Sequence, residues 1–263
     1  MSTRTVRWSA GVPCWADLTV PDLDAAIAFY GAVLTWEFQD TGDEFGGYRI
    51  AEVGAAAAAG IGPQQVGAPN VWTLYFASDD VDATAASIAD HGGTVLLAPG
   101  DVGGLGRMCI AADPTGAAFG VWQAGDHIGA GIVNEPGGLT WDDLRSPDPD
   151  TARAFYAAVF GHRMEPLPDA GPDYATFARP EEKVPLGGIG GMLGAEGAPP
   201  HWIVYFGVAD TLAAMSAAEQ HGGAVLQQDL DTPHGRMASI ADPAGAAFMV
   251  IETDGSDQPD RSG

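Results

Sequence analysis

Two aspartates carry the clearest chemical promise. Asp17 and Asp143 lie 126 residues apart, each two positions after a tryptophan, in the matching segments Trp15-Ala16-Asp17-Leu18 and Trp141-Asp142-Asp143-Leu144. An ionised carboxylate facing an apolar cavity costs free energy unless it is paired. Two readings follow. Either Arg49, Arg107 or a backbone amide pairs with it, or burial raises its pKa and makes it a general base suited to neutral pH. Arg107 and Arg236 recur in matched Gly-Arg-Met segments. Bracing a hairpin through a carboxylate is one role for them; holding an anionic ligand group is the other. The histidines offer less. His201 shares a strand face with Ile203, where Asp143 could join it, but one His and one Asp fall short of a divalent metal site. His91 and His221 each precede Gly-Gly, where imidazole interacts with a helix C-terminus. His234 falls in a loop, and His127 and His162 read as linker and turn residues.

Strands must position the two aspartates. Trp15 to Val20 alternates as a strand and Pro21-Asp22 stops it. Asp22 or Asp24 caps a helix on which Leu23, Ile27, Tyr30, Val33 and Leu34 recur at helical spacing. Strands follow over 35–39, 48–53 and 55–61, with Gly46-Gly47 as a turn. A strand over 71–77 comes next, then a helix from Asp79-Asp80 through Ile88, ended by His91-Gly92-Gly93 in a left-handed cap. Strands over 94–97, 107–112 and 117–122 complete the half, the last two joined by the tight turn Asp113-Pro114-Thr115-Gly116. The pattern is strand–helix–strand–strand–strand, performed twice. The second half replays it: Phe155-Tyr156 answers Phe29-Tyr30, Trp202 to Phe206 answers Trp72 to Phe76, and Asp242-Pro243-Ala244-Gly245 answers the turn. This is a tandem duplication, with a first domain over 1–124, a glycine-rich linker over 125–136, a second domain over 137–253 and a polar tail over 254–263.

Side chains alternate along a strand. With Leu18 and Val20 packed under helices, Trp15, Asp17 and Thr19 face the other way, as do Trp141, Asp143 and Arg145. By the same parity Tyr75, Trp122, Tyr205 and Met249 join them, while Phe29-Tyr30 and Phe155-Tyr156 belong to helix-face core. Each half then presents Trp, Tyr and Asp among small or apolar residues, the make-up of a small-molecule site. The alternative is that these aromatics fill the space themselves.

The formal charge of −24 argues against nucleic-acid partners and against anionic membrane surfaces. Apolar content of 46% supports globular burial. Cys14 and Cys109 make neither a disulfide framework nor a metal-finger spacing, and the first residues lack the apolar run of a signal peptide. The run from Val53 to Val71 is rich in Gly and Ala and interrupted by prolines and glutamines, so it is no membrane span. A cytoplasmic protein is expected.

The opening strand ending Val20-Pro21-Asp22, the helix carrying Phe29-Tyr30, the Gly-Gly turn and the Asp-Pro-x-Gly hairpin occur in this order, twice. That ordered set resembles the vicinal oxygen chelate superfamily, which includes glyoxalase I, extradiol dioxygenases and bleomycin-resistance proteins. The two-domain form looks most like the actinobacterial glyoxalase/bleomycin-resistance type. The resemblance implies an α+β fold of paired βαβββ modules whose sheets form open cups, holding a divalent metal in the family's enzymes. The positions of the family's ligands are Trp15, Thr73 and Gly120 in the first half and Trp141, Ile203 and Met249 in the second, while the stretches 58–61 and 188–192 carry no carboxylate. No metal or other cofactor is therefore expected. The resemblance implies first a metal-independent protein that binds an apolar or aromatic natural product or antibiotic, as resistance proteins do. The second possibility is a cofactor-free enzyme using Asp17 or Asp143 as base, and the third a metal-dependent lyase, isomerase or dioxygenase. The expected ligand contacts are Trp15, Tyr75, Trp122, Arg107, Trp141, His201, Tyr205, Arg236 and Met249. Cups of this family form within or between chains, so a monomer or a homodimer fits.

Overall fold

The computed structural model describes residues 3–64, 69–192, 197–232 and 234–253; the tail expected over 254–263 lies outside them. The first domain runs β1 (Pro13–Val20), α1 (Leu23–Leu34), β2 (Glu37–Asp40), β3 (Arg49–Val53), β4 (Ala56–Pro63), β5 (Thr73–Ala77), α2 (Val81–Asp90), β6 (Thr94–Val102), β7 (Gly106–Ala112) and β8 (Ala118–Ala124). The second repeats it with β9 (Leu139–Arg145), α3 (Pro149–Phe160), β10 (Arg163–Pro166), β11 (Ala175–Ala178), β12 (Gly187–Gly190), β13 (His201–Val208), α4 (Thr211–Gln220), β14 (Ala224–Thr232), β15 (Gly235–Ala241) and β16 (Ala247–Glu252).

Local chemistry accounts for the element ends. All four helices begin on an aspartate whose carboxylate accepts from backbone amides of the first turn: Asp22, Asp80, Asp148 and Asp210. The Asp113 carboxylate accepts from the amides of Thr115, Gly116 and Ala117 at 2.8, 2.9 and 3.1 Å, and Gly116 closes the turn at φ +103°. His91 Nδ1 meets the Ser87 carbonyl at 2.8 Å and His221 Nδ1 the Ala217 carbonyl at 2.9 Å, so both close helix C-termini. The strand expected over 94–97 runs on to Val102 through Pro99. It is an edge strand, and the ladder shifts register between Leu97 and Gly100, so the missing N–H is tolerated.

Each domain is one eight-stranded curved sheet, ordered β2-β3-β4-β1-β5-β8-β7-β6 and β10-β11-β12-β9-β13-β16-β15-β14. Two βαβββ modules join where β1 meets β5, and β9 meets β13, antiparallel. The helices cover one face of each sheet over buried Leu18, Val20, Leu74 and Phe76. The opposite face is the cup.

The two domains lock together through the helix layer. α1 packs on α4, and α2 on α3. The Phe-Tyr pair expected on the core face of each helix crosses into the other domain: Tyr30 OH donates to Asp242 at 3.2 Å, and Tyr156 OH to Asp113 at 3.3 Å. The last glycine of each His-Gly-Gly makes room for the phenylalanine. A Cβ on Gly223 would stand 2.5 Å from the Phe29 ring, and one on Gly93 would stand 2.9 Å from the Phe155 ring. Residues 125–138 are tied to the first domain by Ala130 N to Cys14 O and Gly131 N to Ala57 O, both 2.7 Å. Among the described residues no helix is long and apolar enough to cross a membrane.

Candidate functional site

The two cup floors repeat one arrangement. In the first, Asp17 on β1 stands beside Thr73 of β5, with Trp15 beside Tyr75. Asp17 Oδ2 accepts from Tyr75 OH at 3.1 Å and from Tyr48 OH at 3.5 Å, and Trp15 Nε1 donates to Tyr48 OH at 3.1 Å. Tyr48 reaches the floor because β4 carries glycine at alternate positions. A Cβ on Gly60 would fall 1.6 Å from the tyrosine oxygen, and one on Gly62 would fall 3.1 Å from its ring. Gly120 serves Tyr75 in the same way, since a Cβ there would come within 2.1 Å of that ring. Burial pushes the Asp17 carboxyl up to about 7 from an ordinary value of 3.8, partly offset by the hydrogen bonds from Tyr75 and Tyr48. Burial and the nearby Asp17 charge hold both phenols well above their usual range, so they remain protonated donors.

His127 roofs this floor. Its ring stands edge-on to Trp15, with centroids 4.5 Å apart, and to Trp122 at 5.7 Å, while its carbonyl accepts from Trp122 Nε1 at 3.0 Å. Burial lowers the imidazole to about 4, so it is neutral at physiological pH. Met108 and Ile110 pair in register with Trp122 and Gly120 and continue the apolar wall.

In the second cup Asp143 collects four donors. Tyr174 OH and Trp141 Nε1 reach Oδ1 at 2.6 and 3.0 Å; Tyr205 OH and Arg145 Nη2 reach Oδ2 at 2.8 and 3.0 Å. Tyr174 occupies the space over Gly188 and Gly190 that Tyr48 occupies over Gly60 and Gly62. Met249, in register with Tyr205, is half-buried on the cup face. Arg145 stands where the first cup has Thr19.

Several sequence expectations need correction. Neither Arg49 nor Arg107 pairs with Asp17: Arg49 binds Asp40 at 2.8 Å, and Arg107 binds Asp82 and Asp101. Arg107 alternates with Met108 on β7 and so falls on the helix side, away from the cup. Arg236 lies on the corresponding side of β15, with its guanidinium 3.7 Å from Glu252. Neither arginine joins the cup residues. His201 sits at the rim beside Arg145, and its Nδ1 donates to the Pro199 carbonyl at 2.9 Å rather than joining Asp143. Tyr48, Tyr174 and His127 belong to the floors and were not among the expected residues. The matched Gly-x-Gly segments, each preceded by a tyrosine at the start of a strand, are the signal for the first two.

A sequence model of the glyoxalase/bleomycin resistance protein/dioxygenase superfamily matches residues 14–121 and 126–250. The chain belongs to this superfamily. Its relatives include a putative glyoxylase, CFP32, of Mycobacterium bovis, 40% identical over 94% of this chain and 96% of the relative. The anthracycline biosynthesis protein DauV of Streptomyces sp. is 38% identical over 94% of both chains. Among solved structures, an Mn(II)-bound glyoxalase from Novosphingobium aromaticivorans superposes with a TM-score of 0.65 at 18% identity, over 92% of this chain and 82% of that one, a likeness of fold.

Among the described residues, the side chains at the ligand positions the resemblance implies offer no donor set for a divalent ion. Trp15, Thr73 and Gly120, with Trp141, Ile203 and Met249, occupy the expected ligand positions, and the Tyr75 ring fills the space at Gly120. Asp17 and Asp143 are committed to tyrosine hydroxyls. Among the described residues no three His, Cys, Asp or Glu stand together as a metal site requires.

Proposed function

We propose that the chain is a metal-independent small-molecule binding protein whose cups receive a flat, largely apolar aromatic compound. The observation that carries this is the shared floor: a carboxylate fixed by two tyrosine hydroxyls beneath a tryptophan and apolar walls, in Asp17 and again in Asp143. Few, well-fixed polar groups under an apolar wall suit recognition of a ring system bearing hydroxyl or keto groups. The name of the Streptomyces relative, an anthracycline biosynthesis protein, supports an anthracycline-like compound as the ligand class. The chain would act in the cytoplasm, as a monomer or homodimer. Isothermal titration with an anthraquinone or anthracycline should show saturable binding, weakened about tenfold or more by Trp15→Ala or Trp141→Ala. Absence of binding, or binding that requires stoichiometric Mn, Fe, Ni or Zn by elemental analysis, overturns it.

A second reading is favoured by one observation in the first cup. Among the described residues no cation pairs with Asp17, and its carboxyl, pushed up to about 7, both takes and gives a proton near neutrality. It would remove a proton from a bound hydroxyl or an activated carbon of the ligand. The rate would rise with pH through about 7, and Asp17→Asn would abolish turnover where Asp143→Asn would not. A pH-independent rate, or turnover retained in Asp17→Asn, removes this reading and leaves binding alone.

A further inference from the structure

We infer that the second cup is an anion subsite, selecting aromatic ligands that carry a carboxylate, whereas the first cup takes uncharged ones. The inference rests on the small-molecule reading above and assigns the ligand's charge. Its basis is Arg145. Guanidinium is always cationic in proteins and offers five N–H donors. Here Nη2 is spent on Asp143 Oδ2 at 3.0 Å, while Nη1 is buried and has no hydrogen-bond partner among the described residues. A buried cationic N–H without an acceptor is costly and calls for one.

The surroundings say where that acceptor would come from. Asp143 cannot supply it, because its two oxygens already serve Trp141, Tyr174 and Tyr205 as well as Arg145. Those donors leave the carboxylate no free lone pair for a second guanidinium N–H. Nη1 lies near Gly190 on the side filled by the Tyr174 ring, whose centroid is 6.0 Å from the guanidinium carbon; the ring shields the cation there but supplies no acceptor oxygen to Nη1. Across the strand pair, His201 faces Arg145 in register, with Nδ1 already occupied by the Pro199 carbonyl. A ligand carboxylate at Nη1 would sit at this rim while its ring lay along Trp141, Ile203 and Met249. In the first cup Thr19 replaces Arg145 and Val71 replaces His201, so the same position there offers a hydroxyl and no cation.

The test compares one ring system in two charge states. Isothermal titration of the intact two-domain chain with anthraquinone-2-carboxylate and with its neutral 2-hydroxymethyl counterpart should give at least tenfold tighter binding of the carboxylate at one site. Arg145→Thr should bring the two ligands to within about twofold, and Arg145→Lys should restore part of the preference. The wild-type comparison stands even where Arg145→Thr fails to fold. Equal binding of both ligands by the wild type overturns the anion subsite while leaving the small-molecule reading intact. Carboxylate preference unchanged in a folded Arg145→Thr also overturns it. Binding of neither ligand overturns both.

Discussion

The first and second cups share a floor and differ in one charge. Asp17 and Asp143 occupy equivalent strand positions, each held by two tyrosines. In the second cup Arg145 adds a cation at 3.0 Å; in the first, Thr19 stands in its place and donates to the Pro69 carbonyl at 3.4 Å. Duplication preserved what builds the floor: the Gly-x-Gly strands, the overlying tyrosines and the tryptophan. It released the residue that sets the electrostatics. Burial pushes the Asp17 carboxyl, which among the described residues has only phenol partners, up to about 7. The exchange of Thr19 for Arg145 at the outer end of β1 and β9 is the difference that bears directly on the floor carboxylate; Gly120 against Met249 and Thr73 against Ile203 change the walls.

The sharpest break of that comparison is to remove each carboxylate. Asp143→Ala strands a buried guanidinium and three neutral donors, and should cost about 3–5 kcal/mol of stability. Asp17→Ala strands two phenols in a half-buried site, and should cost about 1–2 kcal/mol. Urea denaturation at pH 7 checks both, and equal costs would show that Arg145 does not distinguish the cups.

The next effect is in pH. The folded Asp17 carboxyl, pushed up to about 7, binds its proton more tightly than the unfolded chain, where the ordinary value is 3.8. The folded state therefore carries the extra proton between about pH 4 and 7. Asp17's contribution is most favourable at the acid end of that window and is lost as pH rises through 7. Asp17→Asn removes this loss, so at pH 8 the variant should exceed the wild type by on the order of 2 kcal/mol, discounted for the solvent that reaches Asp17. Thermal melts from pH 5 to 8 should show the two curves diverging as pH rises. Parallel curves would mean that Asp17 is charged throughout.

Much of the site was legible because strand alternation is a local rule. Once Leu18 and Val20 were assigned to the helix side, Trp15 and Asp17 had to face the cup, and the repeat carried the assignment to Trp141 and Asp143. The same parity separates Arg107 from Trp122, since Met108 is the residue paired with Trp122 in register. Tyr48 and Tyr174 were not legible from their own segments. Each precedes its strand, and its place on the floor depends on glycines in the neighbouring strand, a tertiary relation rather than a periodic one. His127 lies in a stretch with no periodicity, and only the folded path of the linker brings it over Trp15. The Phe29 and Tyr30 contacts were assigned to core correctly in kind, but their true partners, Gly223, Phe248 and Asp242, lie more than 190 residues away.

The smallest effect tests whether the tyrosines do equal work. Tyr174 OH meets Asp143 at 2.6 Å, whereas Tyr48 OH stands 3.5 Å from Asp17. A short bond to a charged carboxylate is the stronger kind, so Tyr174→Phe should cost about 1.5–3 kcal/mol. Tyr48→Phe removes a long, weak contact along with the acceptor of Trp15 Nε1, and should cost about 1 kcal/mol. It should also move Asp17, whose remaining donor would be Tyr75: with less stabilisation of the charged form, its carboxyl should titrate still higher. NMR titration of the Asp17 carboxyl in Tyr48→Phe checks this. A downward shift would mean that the hydroxyl of Tyr48 holds the proton on Asp17 rather than competing for it, and would remove the donor role given to that tyrosine.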